Sequence, residues 1–455
     1  MKNTSFRDPS GFVFLENGVL YRQINNSYKE NYDFFVDSGL YEKLVQKNYI
    51  VSHKEVVSKK TIDNNLYKLI QPEKINFISY PYEWSFSQLK DAALLTLEIQ
   101  KLSLKHGMSL KDATNFNVQF KNGKPIFIDT LSFEKYQEGK PWIAYKQFCQ
   151  HFLAPLCLMC VKDIRMNQLL KNYIDGIPLD LAAKLLPLSS RLNFGVLTHI
   201  FLHSDAQKHY ETENLNSKAT TPNVSKLALE ALIDSLESTL KSLKLPTIDT
   251  EWGDYYTNTN YSDEAFSYKK EIVSDFLDII KPSSVLDLGA NRGDFSRLAS
   301  GKGIDTVSCD IDPIAVEKNY NLLKKTNESH ILPLLIDLAN PTPGIGFMND
   351  ERFSFVNRAK FDFAMALALI HHLAISNNLP FDNIAEFFSN LTSSLAIEFV
   401  PKEDSKVQIL LSSREDIFLN YNEQCFKDSF SKYFDIIEER KVEDSLRTIF
   451  LMRKK

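Results

Sequence analysis

The run Ser284-Val285-Leu286-Asp287-Leu288-Gly289-Ala290-Asn291-Arg292-Gly293-Asp294-Phe295 constrains the fold more than any other stretch of this chain. Val285, Leu286 and Leu288 supply the apolar residues of a short strand covered on both faces. Gly289 and Gly293 let the backbone turn sharply and come close to a ligand. Asp287 leaves a carboxylate near the strand end. A strand, a glycine turn and a helix start in this order mark the ligand crevice of a doubly wound sheet. The Gly-x-Gly-x-x-Gly spacing of dinucleotide binders is absent. Three further strands are expected to follow this run, and Leu395–Pro401 is expected as a fifth with Glu398 inside it. Thr306–Pro313 carries Asp310, 17 residues beyond Gly293. Leu332–Asp337 ends in an acid and is followed by Leu338. Phe361–His372 ends in two histidines. A carboxylate at the end of the second strand can accept both hydroxyls of a ribose.

This order of strand, glycine turn and successive acids resembles the class I S-adenosyl-L-methionine (SAM)-dependent methyltransferases, from roughly Tyr255 to the C-terminus. The resemblance implies a Rossmann-like α/β sheet and SAM as cofactor. It implies that Asp287, Gly289, Asn291 and Gly293 cradle the methionine part and that Asp310 holds the ribose. Ile311 would flank the adenine, Asp337 and Leu338 would meet it from the other side, and Leu367 would line the floor. Asn291 is a departure, since many members have a small residue there. A nucleotide-free or NAD-type Rossmann domain is the competing reading. Together with Ile397-Glu398-Phe399-Val400-Pro401-Lys402-Glu403-Asp404 and the tyrosine-rich lead Glu251–Tyr261, the run looks like the methyltransferases related to the nodulation protein NoeA. That likeness implies methyl transfer without fixing a substrate.

The fourth strand carries the chemical signal. It has neither the Asn/Asp-Pro-Pro-aromatic motif of amino-methylating DNA enzymes nor the Pro-Cys nucleophile of cytosine-C5 enzymes. His371 and His372 stand at its end instead, and an imidazole there can take a proton from a hydroxyl at working pH. Either histidine could equally cap a helix or pack in the core. The expected reaction is O-methylation of a small molecule or glycan precursor. Tyr255 and Tyr261 are candidate substrate contacts in a lid. Glu398 either binds substrate or pairs with a cation. Lys269 either faces the same crevice or, the favoured reading, is a solvated helix position. Val407–Leu411 and Thr448–Met452 are expected to complete the sheet as strands.

The N-terminal half follows another pattern. An Asn17-Gly18 turn joins two strands in a hairpin. A helix is expected over Tyr32–Gln46, then strands over Leu66–Ile70 and Asn76–Tyr80, a break at Pro81–Trp84, and a long helix over Ser87–His106. Asp112 precedes Asn117 by five residues and Asp129 by 17. This resembles the catalytic loop and metal-binding strand end of protein-kinase-like and aminoglycoside-phosphotransferase-like folds, which implies that Asp112 orients a hydroxyl while Asn117 and Asp129 hold magnesium. The departures are a missing glycine-rich loop, Arg22 where the phosphate-binding lysine is sought, Leu110 in place of His, and Thr-Leu after Asp129. A degenerate, substrate-binding module is therefore expected. The alternatives are an active phosphotransferase, or a turn that Asp112 and Asn117 merely cap. Cys157-Leu158-Met159-Cys160 sits in an apolar helical run and reads as buried structural cysteines rather than a zinc or redox pair.

With 455 residues and 44% apolar content the chain can bury two or three cores. The expected division is a kinase-like α+β domain over 1–210, a linker and amphipathic helix over 211–250, and the methyltransferase domain over 251–455. The helix Ser225–Leu243 is expected to dock on the methyltransferase domain, its apolar pattern being short for a coiled coil. A net charge of −5 argues against a broad nucleic-acid-binding surface. Five scattered cysteines and no signal-like or membrane-spanning stretch fit a cytoplasmic protein. No metal is expected in the methyltransferase site, and the oligomeric state is open. Two further readings stand: a bifunctional kinase–methyltransferase acting on one acceptor, and an inactive SAM-binding scaffold.

Overall fold

The computed structural model describes residues 5–57, 65–204, 223–247, 263–412 and 415–455. The chain divides into two units, residues 1–247 with 345–352, and residues 248–344 with 353–455. Among the described residues no helix is long and apolar enough to cross a membrane.

The first unit opens with strands β1 (Gly11–Glu16) and β2 (Val19–Asn25). They are joined by Asn17 and Gly18, both at positive φ (52° and 79°), as a two-residue hairpin turn requires. With β3 (His53–Val56) and β4 (Leu66–Pro72) they form an antiparallel sheet in the order β1-β2-β4-β3. The helix expected over Tyr32–Gln46 is two helices, Lys29–Asp37 and Leu40–Gln46, because Gly39 takes φ 75° between them. Asn76–Tyr80 is not a strand. The Gln119 amide holds Ser79 through both its backbone N–H and C=O, at 2.9 Å each, and so takes the groups a sheet ladder would use. The 20-residue helix Phe86–Lys105 starts in a Ser85/Gln88 capping box. Two short ladders follow, β5 (Met108–Leu110) with β8 (Phe133–Lys135), and β6 (Val118–Lys121) with β7 (Lys124–Phe127). The amphipathic helix Lys226–Ser242 belongs to this unit, a correction to the expected docking. Lys101 of the long helix pairs with its Asp234 at 2.6 Å and also with Glu237. Cys149 and Cys157 are buried and Cys160 is half-buried, and none of the three is in a disulfide.

The second unit is built on a seven-stranded sheet in the order β11-β10-β9-β12-β13-β15-β14. Its strands are β9 (Ser284–Leu288), β10 (Asp305–Asp310), β11 (Ile331–Leu335), β12 (Phe361–Ala366), β13 (Thr392–Phe399), β14 (Phe434–Lys441) and β15 (Thr448–Lys454). The first five are parallel, and β15 runs antiparallel to both β13 and β14. Val285, Phe363, Met365, Ala396, Ile449 and Leu451 put one face of the sheet into a core with Phe276 of the helix Asp263–Ile280. Each of these side chains larger than alanine contributes about 1.5–3 kcal/mol on burial. Val407–Leu411, expected as a strand, lies within the helix Ser405–Ser412, started by Asp404, whose carboxylate accepts from the Lys406 N–H. Succession moves from β9 to β10 to β11 on one side, then crosses to β12 on the other. The crevice of a doubly wound sheet lies at such a reversal.

Candidate functional site

At the C-terminal ends of β9, β10, β11 and β12 the second unit holds a cavity of about 340 Å³. The turn after β9 forms its rim. Gly289 (φ 73°) and Ala290 both donate their N–H to the Cys309 carbonyl at 2.9 Å, which folds the turn back over β10. Asn291 follows at φ 51°, a conformation Asn tolerates better than most residues. Its N–H donates to Asp310 Oδ2 at 2.7 Å, while the Asp312 N–H donates to Oδ1 at 2.8 Å. The second acid is thereby fixed to the glycine turn.

Eight of the nine residues assigned to the cofactor from sequence line this cavity: Asp287, Gly289, Asn291, Asp310, Ile311, Asp337, Leu338 and Leu367. Gly293 does not. It has φ 83°, and a Cβ there would lie 2.7 Å from Asn319 Nδ2 and 2.8 Å from Arg297 Nη1, so the close approach of these side chains requires a glycine. Burial pushes the Asp287 carboxyl up to about 7, against the bond it accepts from Ser296 Oγ at 2.6 Å. Burial likewise pushes Asp310 up to about 6, against its backbone bonds from Asp312, Asn291 and Ile311. Ile311, on the cavity lining, is 55% exposed.

His372 lines the cavity and His371 does not. Their rings lie 4.1 Å apart at 41°. Burial lowers His372 to about 4 and holds His371 well below the ordinary imidazole range, so both are neutral at pH 7. His371 Nδ1 is buried without a hydrogen-bond partner. Tyr255 and Tyr261 lie outside the described residues. Glu398 is fully buried and does not line the cavity. It accepts from Lys269 Nζ at 2.7 Å and from the Ala368 N–H at 2.5 Å, the cation-pairing alternative of the sequence reading. Lys269 takes the crevice-facing alternative and not the favoured solvated one. It is 2% exposed, lines the cavity, and stands 5.1 Å from the centroid of the Phe295 ring. Nothing local in the sequence marks it, since its burial comes from a partner 129 residues away.

In the first unit Asp112, Asn117 and Asp129 come together around Ser132 and Arg22. Asn117 Nδ2 donates to Ser132 Oγ at 3.0 Å, and Ser132 Oγ donates to Asp129 Oδ2 at 2.6 Å. Arg22 reaches Asp129 at 2.6 Å and Asp8 at 3.4 Å. Asp112 accepts from the Thr114 N–H at 3.1 Å, an Asx-type turn. Burial and the neighbouring Asp129 raise the Asp112 carboxyl above the usual range.

Comparison with known proteins gives three kinds of match. The family described as "Methyltransferase domain" matches residues 261–396. The nodulation protein NoeA of Rhizobium meliloti (strain 1021) is 33% identical over 452 residues, covering 98% of this chain and 94% of that protein. Among solved structures, the bifunctional kinase-methyltransferase WbdD overlaps 42% of this chain and 40% of its own, at 18% identity and a TM-score of 0.30. The N-methyltransferase NodS from Bradyrhizobium japonicum WM9 overlaps 41% of this chain and 97% of its own, at 13% identity and a TM-score of 0.30. The structural overlaps are too weak to bear on function. The NoeA match spans both units.

Proposed function

The chain belongs to the family of the nodulation protein NoeA and is a SAM-dependent methyltransferase, and from that premise we propose that it methylates a hydroxyl oxygen of a small molecule or glycan precursor held over His372. The observation that carries the reading is a neutral imidazole lining the same cavity as the Asp287–Asn291 turn and Asp310. The donor set fits the cofactor. Asp310 offers a carboxylate to a ribose diol. Ile311, Leu338 and Leu367 offer apolar walls to a purine, with Asp337 at its edge. Asp287, Gly289 and Asn291 surround the methionine part. Bound SAM supplies an activated methyl carbon and leaves as S-adenosylhomocysteine. The chain's own work is to aim the acceptor oxygen in line with that carbon and to exclude water. As the acceptor oxygen forms its bond to carbon, its proton passes to a ring nitrogen of His372, and water later takes it away. Transfer from methyl-¹³C SAM to a panel of sugars and phenols, read by NMR, tests this reading. A methyl signal on oxygen supports it, and one on nitrogen or carbon overturns it.

For the first unit we propose a degenerate kinase-like fold that serves the acceptor and not phosphate transfer. The order of elements up to the 112–129 loop supports the likeness. The ion pair of Arg22 with Asp129 and the Ser132 bonds to Asp129 and Asn117 weigh against metal binding there. The two-residue β1–β2 turn leaves no loop to cover phosphates. Calorimetric titration with ATP and magnesium is expected to give no heat. An Asp129-dependent signal would favour the bifunctional alternative.

A further inference from the structure

We propose that Lys269 is the anchor for the carboxylate of the cofactor's methionine part, held in place by a buried charge chain that runs Lys269–Glu398–Arg447–Asp404. The inference rests on the reading of the cavity as the SAM site. Lys269 is the one lysine or arginine among the described residues lining that cavity. The lining acids Asp287, Asp310 and Asp337 suit a diol, an exocyclic amine and an ammonium. None of them suits a carboxylate. A methionine end carries one ammonium and one carboxylate, so a site that takes it needs a cation beside the acid that meets the ammonium. Lys269 acts electrostatically on Asp287, at the end of the cavity where the glycine turn lies.

The wiring behind Lys269 fits a ligand-facing cation better than a structural pair. A buried ion pair adds little net stability over an apolar replacement, so its presence asks for another reason. Glu398, on β13, takes the Lys269 ammonium at 2.7 Å and the Ala368 N–H at 2.5 Å. Ala368 stands at φ 50° between Leu367 and Leu369, and all three line the cavity. One carboxylate thus sets both the cation and the floor loop. Glu398 is backed by Arg447, 3.9 Å away and 1% exposed. Arg447 is in turn clamped by both oxygens of Asp404, at 2.7 and 3.1 Å. The charges alternate along the chain, and Lys269 is its end at the cavity.

The test compares SAM with decarboxylated SAM, which lacks only the carboxylate, in calorimetric titrations of the full chain. Lys269→Met leaves Glu398 buried without its cation, so the double variant Lys269→Met/Glu398→Gln is measured alongside it. Its amide oxygen can still accept from Ala368. The wild type is expected to bind SAM about 10- to 100-fold tighter than decarboxylated SAM, the range of one charge-assisted bond. The double variant is expected to bind both alike, near the wild-type value for decarboxylated SAM. Equal binding of the two ligands by the wild type overturns the inference, and so does discrimination that survives in the double variant. If the wild type binds neither ligand, the reading of the cavity falls first and this inference with it.

Discussion

SAM binding should strengthen as pH rises from 5.5 to 7.5, because two cavity carboxyls must lose protons to receive the ligand. Burial holds Asp310 at about 6 and Asp287 at about 7. Each is partly protonated in this window, and each ionised form is favoured by what arrives: a diol that donates hydrogen bonds, or the positive methionine end. The ligand's α-ammonium stays largely protonated over the same range. Linkage then gives a factor of roughly 4 for Asp310 and roughly 25 for Asp287 between pH 5.5 and 7.5. Together these make roughly 100-fold in Kd, or about 3 kcal/mol. Calorimetry in two buffers of different ionisation enthalpy counts the protons directly, and about one should leave per SAM bound at pH 6.5. Asp310→Asn should remove its share of the pH slope. A Kd that is flat from pH 5.5 to 7.5, with no buffer dependence of the heat, would refute the reasoning.

The same two carboxyls set a stability profile of opposite sense. Their folded pKa values lie above the unfolded ones, so the stability they contribute is full below pH ~4 and is lost as pH rises through about 7. The thermal midpoint of the second unit without ligand should therefore fall over that range, and Asp287→Asn should flatten the fall. Gly293→Ala should cost about 1–3 kcal/mol in denaturant unfolding, from the strained φ and the contacts with Asn319 and Arg297. A stable Gly293→Ala protein that no longer binds SAM would return Gly293 to the ligand site. His372→Ala should lower kcat by about 10²–10⁴ while SAM affinity stays within a few-fold; an unchanged kcat excludes it as the base. Arg22→Met leaves Asp129 and Asp8 without their cation and should destabilise the first unit by about 3–5 kcal/mol. Arg22→Met/Asp129→Asn should regain much of this, and equal losses in both variants would deny the pairing.

What could be read from the sequence was what local chemistry fixes. Strand β9 needs apolar residues on both faces, and the turn after it needs positive φ, so the run at Val285–Gly293 announces itself. The acids at 310 and 337 follow apolar runs of strand length. What stayed hidden depends on partners far away in the chain. Lys269-Lys270 looks like any solvated pair on a helix, and only Glu398 on β13 shows that one of the two points inward. The run Asn76–Tyr80 has strand composition, but Gln119 claims the backbone of Ser79. Val407–Leu411 is a short apolar run that periodicity cannot assign, and the Asp404 cap makes it helical. Strand β14 escaped notice because Glu438-Glu439-Arg440-Lys441 reads as surface, and the strand lies at the sheet edge with a register shift between Ile436 and Glu438.

The two units handle buried charge in opposite ways, and the difference bears on which of them does chemistry. In the first unit, the Asp129 carboxylate is satisfied from within the protein, by Arg22, Ser132 and the Leu131 N–H. A bound metal would have to displace a guanidinium from a buried pair, at a cost of several kcal/mol. In the second unit, Asp287 and Asp310 face a cavity in which their carboxyls are pushed up towards neutrality by burial. Their cost of ionisation is carried by the folded protein until a ligand relieves it. A site that stores such a cost gains affinity for a ligand bringing donors and positive charge, which is what a sulfonium cofactor brings. This contrast supports the proposal that the acids of the second unit serve a ligand and that Asp129 of the first does not hold a metal.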